Sequence, residues 1–500
     1  MLYLIYSFHF QEDTNMSEFS ELLSEYIHRK NIRTYSLAEY CGIDRSMMYK
    51  IIRGKRTPTS LELIDKISNY LQLTPGECKD LMEAYQITQV GYDNYYRRKD
   101  MLDFLSNFRD IANKNTISSS FSMMTDYTTP LVPLTNESEV NQAVFTIITK
   151  QIQRGSGQIQ MILRPDYTFL TQLLTFSQPR DTTLVISHII CLNNSEQVTS
   201  AKKNYNLHCL MNILPLCTCS YQYQPYYYYD NIISQLESFR LFPYLILTDD
   251  YAVILSEKLN TGFLTCQKES LEMLEQIFEN YIHQSRPLLT KIENVYDQLR
   301  YVQEILRFDS TVEYSFQMTP CMTALLTHDF LEKNVSRQIP ARDAFIETFE
   351  KHIHNTYERH LSRNHTLIFS EEGIWEFLRT GHLEEYPSYI YTAPSPEDRI
   401  LLIKLLTKEL RHNTYRMRML IQSIGPVRNG ANIYITSSAG YLLFTPLGSS
   451  TPVYLNIEET GLLMTFLDFF DSMDESLFYP PAETLSRLEK IIQDYSAAYL

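Results

Sequence analysis

Glycine is scarce in this 500-residue chain, at 14 residues, and tryptophan occurs once, at Trp375. So little glycine disfavours folds that rest on Gly-rich phosphate loops. No Gly-Lys-Ser/Thr phosphate loop and no Gly-x-Ser-x-Gly nucleophile elbow is present. Gly155 and Gly157 form a Gly-x-Gly with no third glycine and no strand before it, which reads as a loop and not a dinucleotide site. No apolar run reaches the ~18 residues of a membrane-spanning helix, so no membrane partner is expected. The apolar start, Met1 to Phe10, lacks a positive flank and a small-residue cleavage site and is not read as a signal peptide. Met16 opens the first well-patterned helix, so residues 1–16 read as a disordered arm, with Met1 and Met16 both open as the translation start. Basic residues are in deficit: the net charge is −15, which excludes a polybasic coat and confines any basic surface to a local patch. Eight cysteines, mostly apart and in apolar runs, fit reduced thiols and a cytoplasmic location.

The composition that remains is that of a soluble globular chain, 44% apolar and 21% charged. At ~100–200 residues per domain the length implies two to four units. Residues 17–88 are the most informative. Phe19, Leu22, Leu23, Tyr26 and Ile27 form an amphipathic helical stripe. A short helix over 35–41 puts Leu37, Ala38 and Cys41 on one side, and Gly42 follows where helices often end left-handed. Asp44 is a good N-cap for a third helix, Arg45 to Arg53. At 100° per residue, one arc of that helix holds Arg45, Ser46, Tyr49, Lys50 and Arg53. The opposite arc holds Met47, Met48, Ile51 and Ile52. Thr57 and Pro58 read as the start of a fourth helix carrying Leu61, Ile64, Ile67 and Leu71. Thr74, Pro75 and Glu77 make a capping-box start for a fifth.

Five short helices with a glycine turn between the second and third make a helix-turn-helix unit. Through Leu37-Ala38, Gly42-Ile43-Asp44, Met48, Arg53-Gly54-Lys55-Arg56 and Pro58, residues 19–86 resemble the lambda-repressor-like (Cro/cI, XRE-type) DNA-binding domain. Two departures stand out: Ile52 where the family usually has Glu, and Thr34 where it often has a phosphate-binding Gln. The resemblance implies double-stranded DNA as partner. Charge agrees, since between Arg29 and Arg56 eight cations face two anions, Glu39 and Asp44, a local balance of +6. The alternative is a solvated face on an ordinary five-helix bundle that binds protein. The expected DNA-binding residues are Thr34, Arg45, Ser46, Tyr49, Lys50, Arg53, Lys55 and Arg56. Arg45, Ser46, Tyr49 and Lys50 are assigned to base edges; Arg53, Lys55 and Arg56 are assigned to phosphates, with the Thr34 hydroxyl in the place of the Gln. A module of this size acts on two half-sites, so a homodimer is expected.

Residues 89–137 read as a helix, Asp93 to Asn113, followed by a Ser/Thr/Asn/Pro-rich linker. From 138 the pattern becomes α/β: one lobe over 138–290, connecting helices over 291–340, and a second lobe over 341–500. A hairpin, strand and helix recur in order near 244–283 and 432–473, which reads as a tandem pair with a ligand cleft between its halves. The fold class is therefore multidomain, an all-α helix-turn-helix domain followed by a larger, tandem-duplicated α/β region. A weak analogy to the phospholipase D fold carries no chemistry, because its paired His-x-Lys-x4-Asp motifs are absent; His28-Arg29-Lys30 fits only the start, with Tyr35 where Asp should stand.

No catalytic residue, metal or cofactor is assigned. His208, Cys209, Cys217 and Cys219 match no zinc-finger spacing and read as part of an apolar run. His352, His354, His360 and His365 lack an i, i+4 pair and read as a solvated face. Asp249-Asp250, Glu371-Glu372 and Glu458-Glu459 sit at turns or helix starts. The tyrosine run, Tyr226 to Tyr229 with Tyr221 and Tyr223 nearby, reads as a buried or interfacial segment. The expectation is a bacterial-type transcriptional regulator, not an enzyme, whose C-terminal region senses a small-molecule or peptide effector or makes the dimer. The alternative is an enzyme or ligand-binding protein with an accessory helix-turn-helix.

Overall fold

The computed structural model describes residues 16–108, 127, 129–176, 182–193, 204–230, 241–292, 294–305, 312–361, 364–412, 416–428, 430–446 and 452–499. The expected N-terminal arm and most of the linker lie outside them. The chain divides into two compact units at residues 99 and 100.

The first unit is helical: α1 (Glu18–Arg29), α2 (Thr34–Cys41), α3 (Arg45–Ile52), α4 (Leu61–Tyr70), α5 (Pro75–Val90) and the start of α6 (Tyr92–Ser106). Its core contains Phe19, Leu23, Leu37, Met48, Ile51, Ile64, Ile67 and Leu81, one stripe from each of the first five helices. Two expectations shift at α4. Ser60, and not Thr57, caps it by accepting from the Leu63 amide. Pro58 is buried ahead of the helix, and Leu61 is exposed while Leu63 takes the core position. The capping box at Thr74 and Glu77 is present, with Pro75 at the first helical position.

The second unit holds two mixed sheets. The first has β1 (Leu131–Leu134), β2 (Gln158–Ile162), β3 (Val185–Asn193), β4 (Gln222–Asp230), β5 (Tyr244–Thr248), β6 (Ala252–Leu255), β7 (Gly262–Thr265) and β8 (Arg286–Pro287). Its order is β1-β7-β6-β5-β2-β3-β4-β8, with β2, β3 and β4 parallel. The second has β9 (Leu289–Ile292), β10 (Glu313–Phe316), β11 (His365–Ser370), β12 (Arg416–Leu420), β13 (Asn432–Ile435), β14 (Gly440–Phe444) and β15 (Val453–Ile457). Its order, β9-β15-β14-β13-β10-β11-β12, repeats the first sheet strand for strand, with β10, β11 and β12 parallel. An antiparallel bridge from Leu420 to Phe478 stands where β8 pairs β4. Thr248 and Thr436 close equivalent hairpins, each hydroxyl donating to the carbonyl three residues on, Tyr251 and Ala439.

The duplication therefore runs 131–287 and 289–478. The segment 291–340, expected to connect the lobes, supplies β10 of the second sheet, and the second repeat starts near 289 and not at 341. The expected linker contains β1, and the stretch between 190 and 244 holds a helix, Tyr205–Cys217, and the tyrosine strand β4. Along β4, Tyr223, Tyr227 and Pro225 are buried and the residues between are more exposed, the alternation of a strand with one covered face.

Each repeat carries its crossover helices on one face and its last helix on the other. In the first, α7 (Glu137–Arg154), α8 (Thr168–Phe176) and α9 (Tyr205–Cys217) cover one face, and Leu271 and Leu274 of α10 (Lys268–Ile282) pack on the other. In the second, α11 (Val295–Ile305), α12 (His328–Asn334), α13 (Arg342–Leu361), α14 (Glu371–Thr380) and α15 (Pro396–Arg411) lie on one face with α17 (Pro481–Tyr499). The last helix of that repeat, α16 (Thr460–Asp471), packs on the other face and joins the core of the first repeat. The repeats thus stack head to tail. The expected cleft between the halves is filled, because Ile433, Leu442 and Leu455 of the second sheet share one buried cluster with Phe466, Phe470 and the α7–α9 side chains.

The carboxylate pairs have structural partners. Glu459 caps α16 through the Gly461 and Leu462 amides. Asp249 and Asp250 pair with Arg154. Of the four histidines expected on a solvated face, His352 and His360 are buried because α13 turns them toward the second sheet, and His365 is buried at the start of β11.

Candidate nucleic-acid interface

The turn between α2 and α3 is built from three residues. Gly42 takes φ +69°, open to glycine and strained for other residues. Its amide donates to Glu39 O at 3.1 Å and the Ile43 amide donates to Ala38 O at 3.1 Å, which satisfies the end of α2. Asp44 then caps α3 through the Ser46 amide at 2.6 Å. Ala38, buried with Leu37, leaves room for the two helices to cross.

At its far end α3 is tied to α1. The buried Ser20 hydroxyl donates to Ile51 O at 2.8 Å, and the Ser24 hydroxyl donates to Ile52 O at 3.1 Å. Gly54, at φ +70°, ends the helix against the Met16–Ser17 backbone, where an added Cβ would lie 3.2 Å from Met16 Cα. Met48 and Ile51 are buried, with Met47 and Ile52 packed against them. This arrangement turns Arg45, Ser46, Tyr49, Lys50 and Arg53 outward, and all five are exposed, as are Lys55 and Arg56.

The electrostatics separate two groups of cations. Arg29 and Lys30 are committed to Glu77, and Lys30 also donates to Gln72 O at 2.8 Å. Among the described residues Arg33, Arg45, Lys50, Arg53, Lys55 and Arg56 make no ion pair with a carboxylate, so their charge is uncompensated. The Arg45 guanidinium lies over the Tyr49 ring, 5.4 Å from its centre. The hydrogen bond and charge of Arg45 lower the Tyr49 phenol below its ordinary pKa, with smaller help from the Thr34 hydroxyl and Arg53. Thr34 is half-buried at the start of α2 and sits beside Tyr49. The structure therefore brings the eight expected residues onto α3, its C-terminal loop and the neighbouring end of α2. Tyr35 and Tyr40, exposed on α2, were not among them; their exposure depends on how α2 packs.

Residues 23–88 match the family of Cro/C1-type helix-turn-helix DNA-binding domains. The N-terminal domain is therefore a DNA-binding domain of that type. No curated protein matches the chain. Among solved structures, similarity extends to TrmBL2, an archaeal chromatin protein with a novel mode of DNA binding, at 8% identity over 54% of this chain and 100% of that one, TM-score 0.21. It also extends to phosphatidylserine synthase of Haemophilus influenzae Rd KW20, at 9% identity over 81% of this chain and 99% of that one, TM-score 0.23. Polyphosphate kinase of Porphyromonas gingivalis follows at 8% identity over 73% of this chain and 55% of that one, TM-score 0.20. Likeness this low carries no argument about activity. No helix among the described residues is long and apolar enough to cross a membrane.

Proposed function

We propose that this protein is a transcription regulator, not an enzyme, and that it binds operator DNA as a homodimer. In this reading Arg45, Ser46, Tyr49 and Lys50 enter the major groove and meet base edges, where Arg pairs bidentately with guanine. Arg53, Lys55, Arg56 and the Thr34 hydroxyl hold phosphates and set the orientation. One observation carries the reading: an exposed face of cations, without carboxylate partners among the described residues, on the third helix of a Cro/C1-type domain. The second unit, four-fifths of the chain, takes the sensing or dimer-forming role, and a signal acts by changing the spacing or freedom of two DNA-binding heads.

The test is titration of the full chain with a labelled duplex selected from a randomised pool. Wild type is expected to bind with steep salt dependence, and Arg45→Ala and Lys50→Ala are each expected to weaken binding at least tenfold. Unchanged affinity in both variants rejects the site. Light scattering of the complex checks for two chains per duplex.

A further inference from the structure

The two repeats share a strand order but not an interior. With Thr248 and Thr436 aligned, the strand registers place Ile159, Met161, Ile246 and Leu264 of the first repeat at the positions of Glu313, Ser315, Tyr434 and Asn456 of the second. The first set lies in an apolar core under α7. The second set faces α11 and α13, and polar groups stand at each of its four positions. Strand alternation makes this a property of one whole face, since the opposite face of the same strands, Ile433, Ile435 and Leu442, is apolar.

That polar face borders a cavity with about 70 Å³ of room for the centres of water-sized molecules. Several groups that line it are buried without a protein partner among the described residues. Both amide atoms of Gln298, the Nδ1 of His352 and the Nδ2 of Asn432 make no hydrogen bond. These residues are 6%, 6% and 2% exposed. Polar groups buried in this way cost stability, and folded proteins keep few of them unless a ligand or ordered water meets them.

The charges indicate what kind of molecule fits. Arg359, the cation of the lining, is ion-paired with the buried Glu313. Glu385 forms no ion pair among the described residues, and its carboxylate accepts from neutral groups, Thr323 Oγ1 at 2.6 Å, Gln317 Nε2 at 3.2 Å and the Cys321 thiol. Tyr386, Tyr441 and Tyr454 line the same end. Burial, with the charge of Glu385, raises all three phenols, so that charge acts on the aromatic wall around it. Burial also holds His352 and His360 neutral, lowering each to about 4. An uncompensated carboxylate ringed by phenols suits a cationic nitrogen; the carboxamides and neutral imidazoles suit a polar, uncharged body.

We propose that this cavity binds a small organic ammonium compound, its cationic nitrogen against the Glu385 carboxylate and its hydrogen-bonding groups against Gln298, His352 and Asn432. This names the effector class for the regulator described above, and it rests on that reading only for the effect on DNA.

The experiment measures the heat-unfolding midpoint of the dialysed full chain with millimolar free amino acids, putrescine or choline. N-acetyl amino acid amides and glucose serve as uncharged counterparts. At least one ammonium probe is expected to raise the midpoint of wild type, and the rise should vanish in Glu385→Gln and in Gln298→Leu. Gln298→Leu removes two unpartnered polar atoms and should fold at least as stably as wild type without a probe, so it decides the matter if Glu385→Gln does not fold. No rise with any ammonium probe, a rise that survives in Gln298→Leu, or a rise only with the uncharged compounds overturns the proposal. Duplex titration with and without the active probe separates the two readings: unchanged DNA affinity removes the sensing role and leaves the cavity assignment standing, while absence of duplex binding removes the regulator reading alone.

Discussion

The Arg45 guanidinium rests 5.4 Å from the centre of the Tyr49 ring, one turn further along the same helix. The ring orders a long side chain that otherwise samples many rotamers, and does so on the exposed face of α3 proposed above to meet DNA. At an exposed site such an interaction contributes about 0.5–1 kcal/mol. Tyr49→Leu is therefore expected to weaken duplex binding by roughly two- to fivefold, whereas Tyr49→Phe, which keeps the ring, should weaken it less. Fluorescence anisotropy of a labelled duplex checks the order, and equal losses would remove the ring from the argument.

Lys55 and Arg56 follow the glycine that ends α3 and are exposed, without carboxylate partners among the described residues. Their replacement by alanine is expected to lower affinity alike for all sequences, and to flatten the slope of log affinity against log salt by about 0.9 for each phosphate no longer neutralised. Ser46→Ala and Lys50→Ala should instead change which sequence is preferred. Selection from a randomised duplex pool distinguishes the two patterns.

The Ser20 hydroxyl holds the Ile51 carbonyl at 2.8 Å inside the first unit. Ser20→Ala removes one of the two hydrogen bonds to that carbonyl, which still accepts from the Gly54 amide at 3.0 Å, at a cost of about 0.5–1.5 kcal/mol. Amide hydrogen exchange should show faster opening of α1 and α3 with little change in α14 or α15. An unchanged exchange pattern would show that the bond is dispensable.

Burial lowers the pKa of His188, His352 and His360 to about 4 from the ordinary 6.5. The unfolded chain therefore binds more protons than the folded one between those values, so stability is full above pH 6.5 and falls as the pH drops toward 4. The loss approaches about 3 kcal/mol for each imidazole. The urea midpoint should decline on going from pH 7 to 4.5, and His352→Phe, which keeps a ring beside Phe349, should show a shallower decline. A pH-independent midpoint would contradict the burial of these rings.

The helix-turn-helix domain was legible in its residues because each of its signals is local. Gly42, Asp44 and the Thr74–Glu77 box act within one turn of chain, and the α3 stripe needs only helical period. The start of α4 was misplaced because two candidate caps, Thr57 and Ser60, lie three residues apart, and the buried seat of Pro58 against Tyr85 depends on another helix. The duplication was visible where hairpin, strand and helix are short-range. It was missed over 291–340 because β9 pairs with β15, and β10 with β11 and β13, all distant in the sequence. The histidines of α13 were misread for the same reason, since helical spacing says which residues share a side but not whether another layer covers that side.

By itself, the order of residues determined the DNA-binding fold, its turn and the separation of cations from apolar side chains on α3, since these follow from backbone preferences and periodicity within a few turns. Only the tertiary structure decided that the lobes stack with a filled interior, which cations remain without carboxylate partners, and that one repeat encloses a polar cavity where the other encloses a greasy core. Those outcomes depend on which surfaces meet across long stretches of sequence, and solvent exclusion acts on the assembled surfaces, not on the chain as it is read.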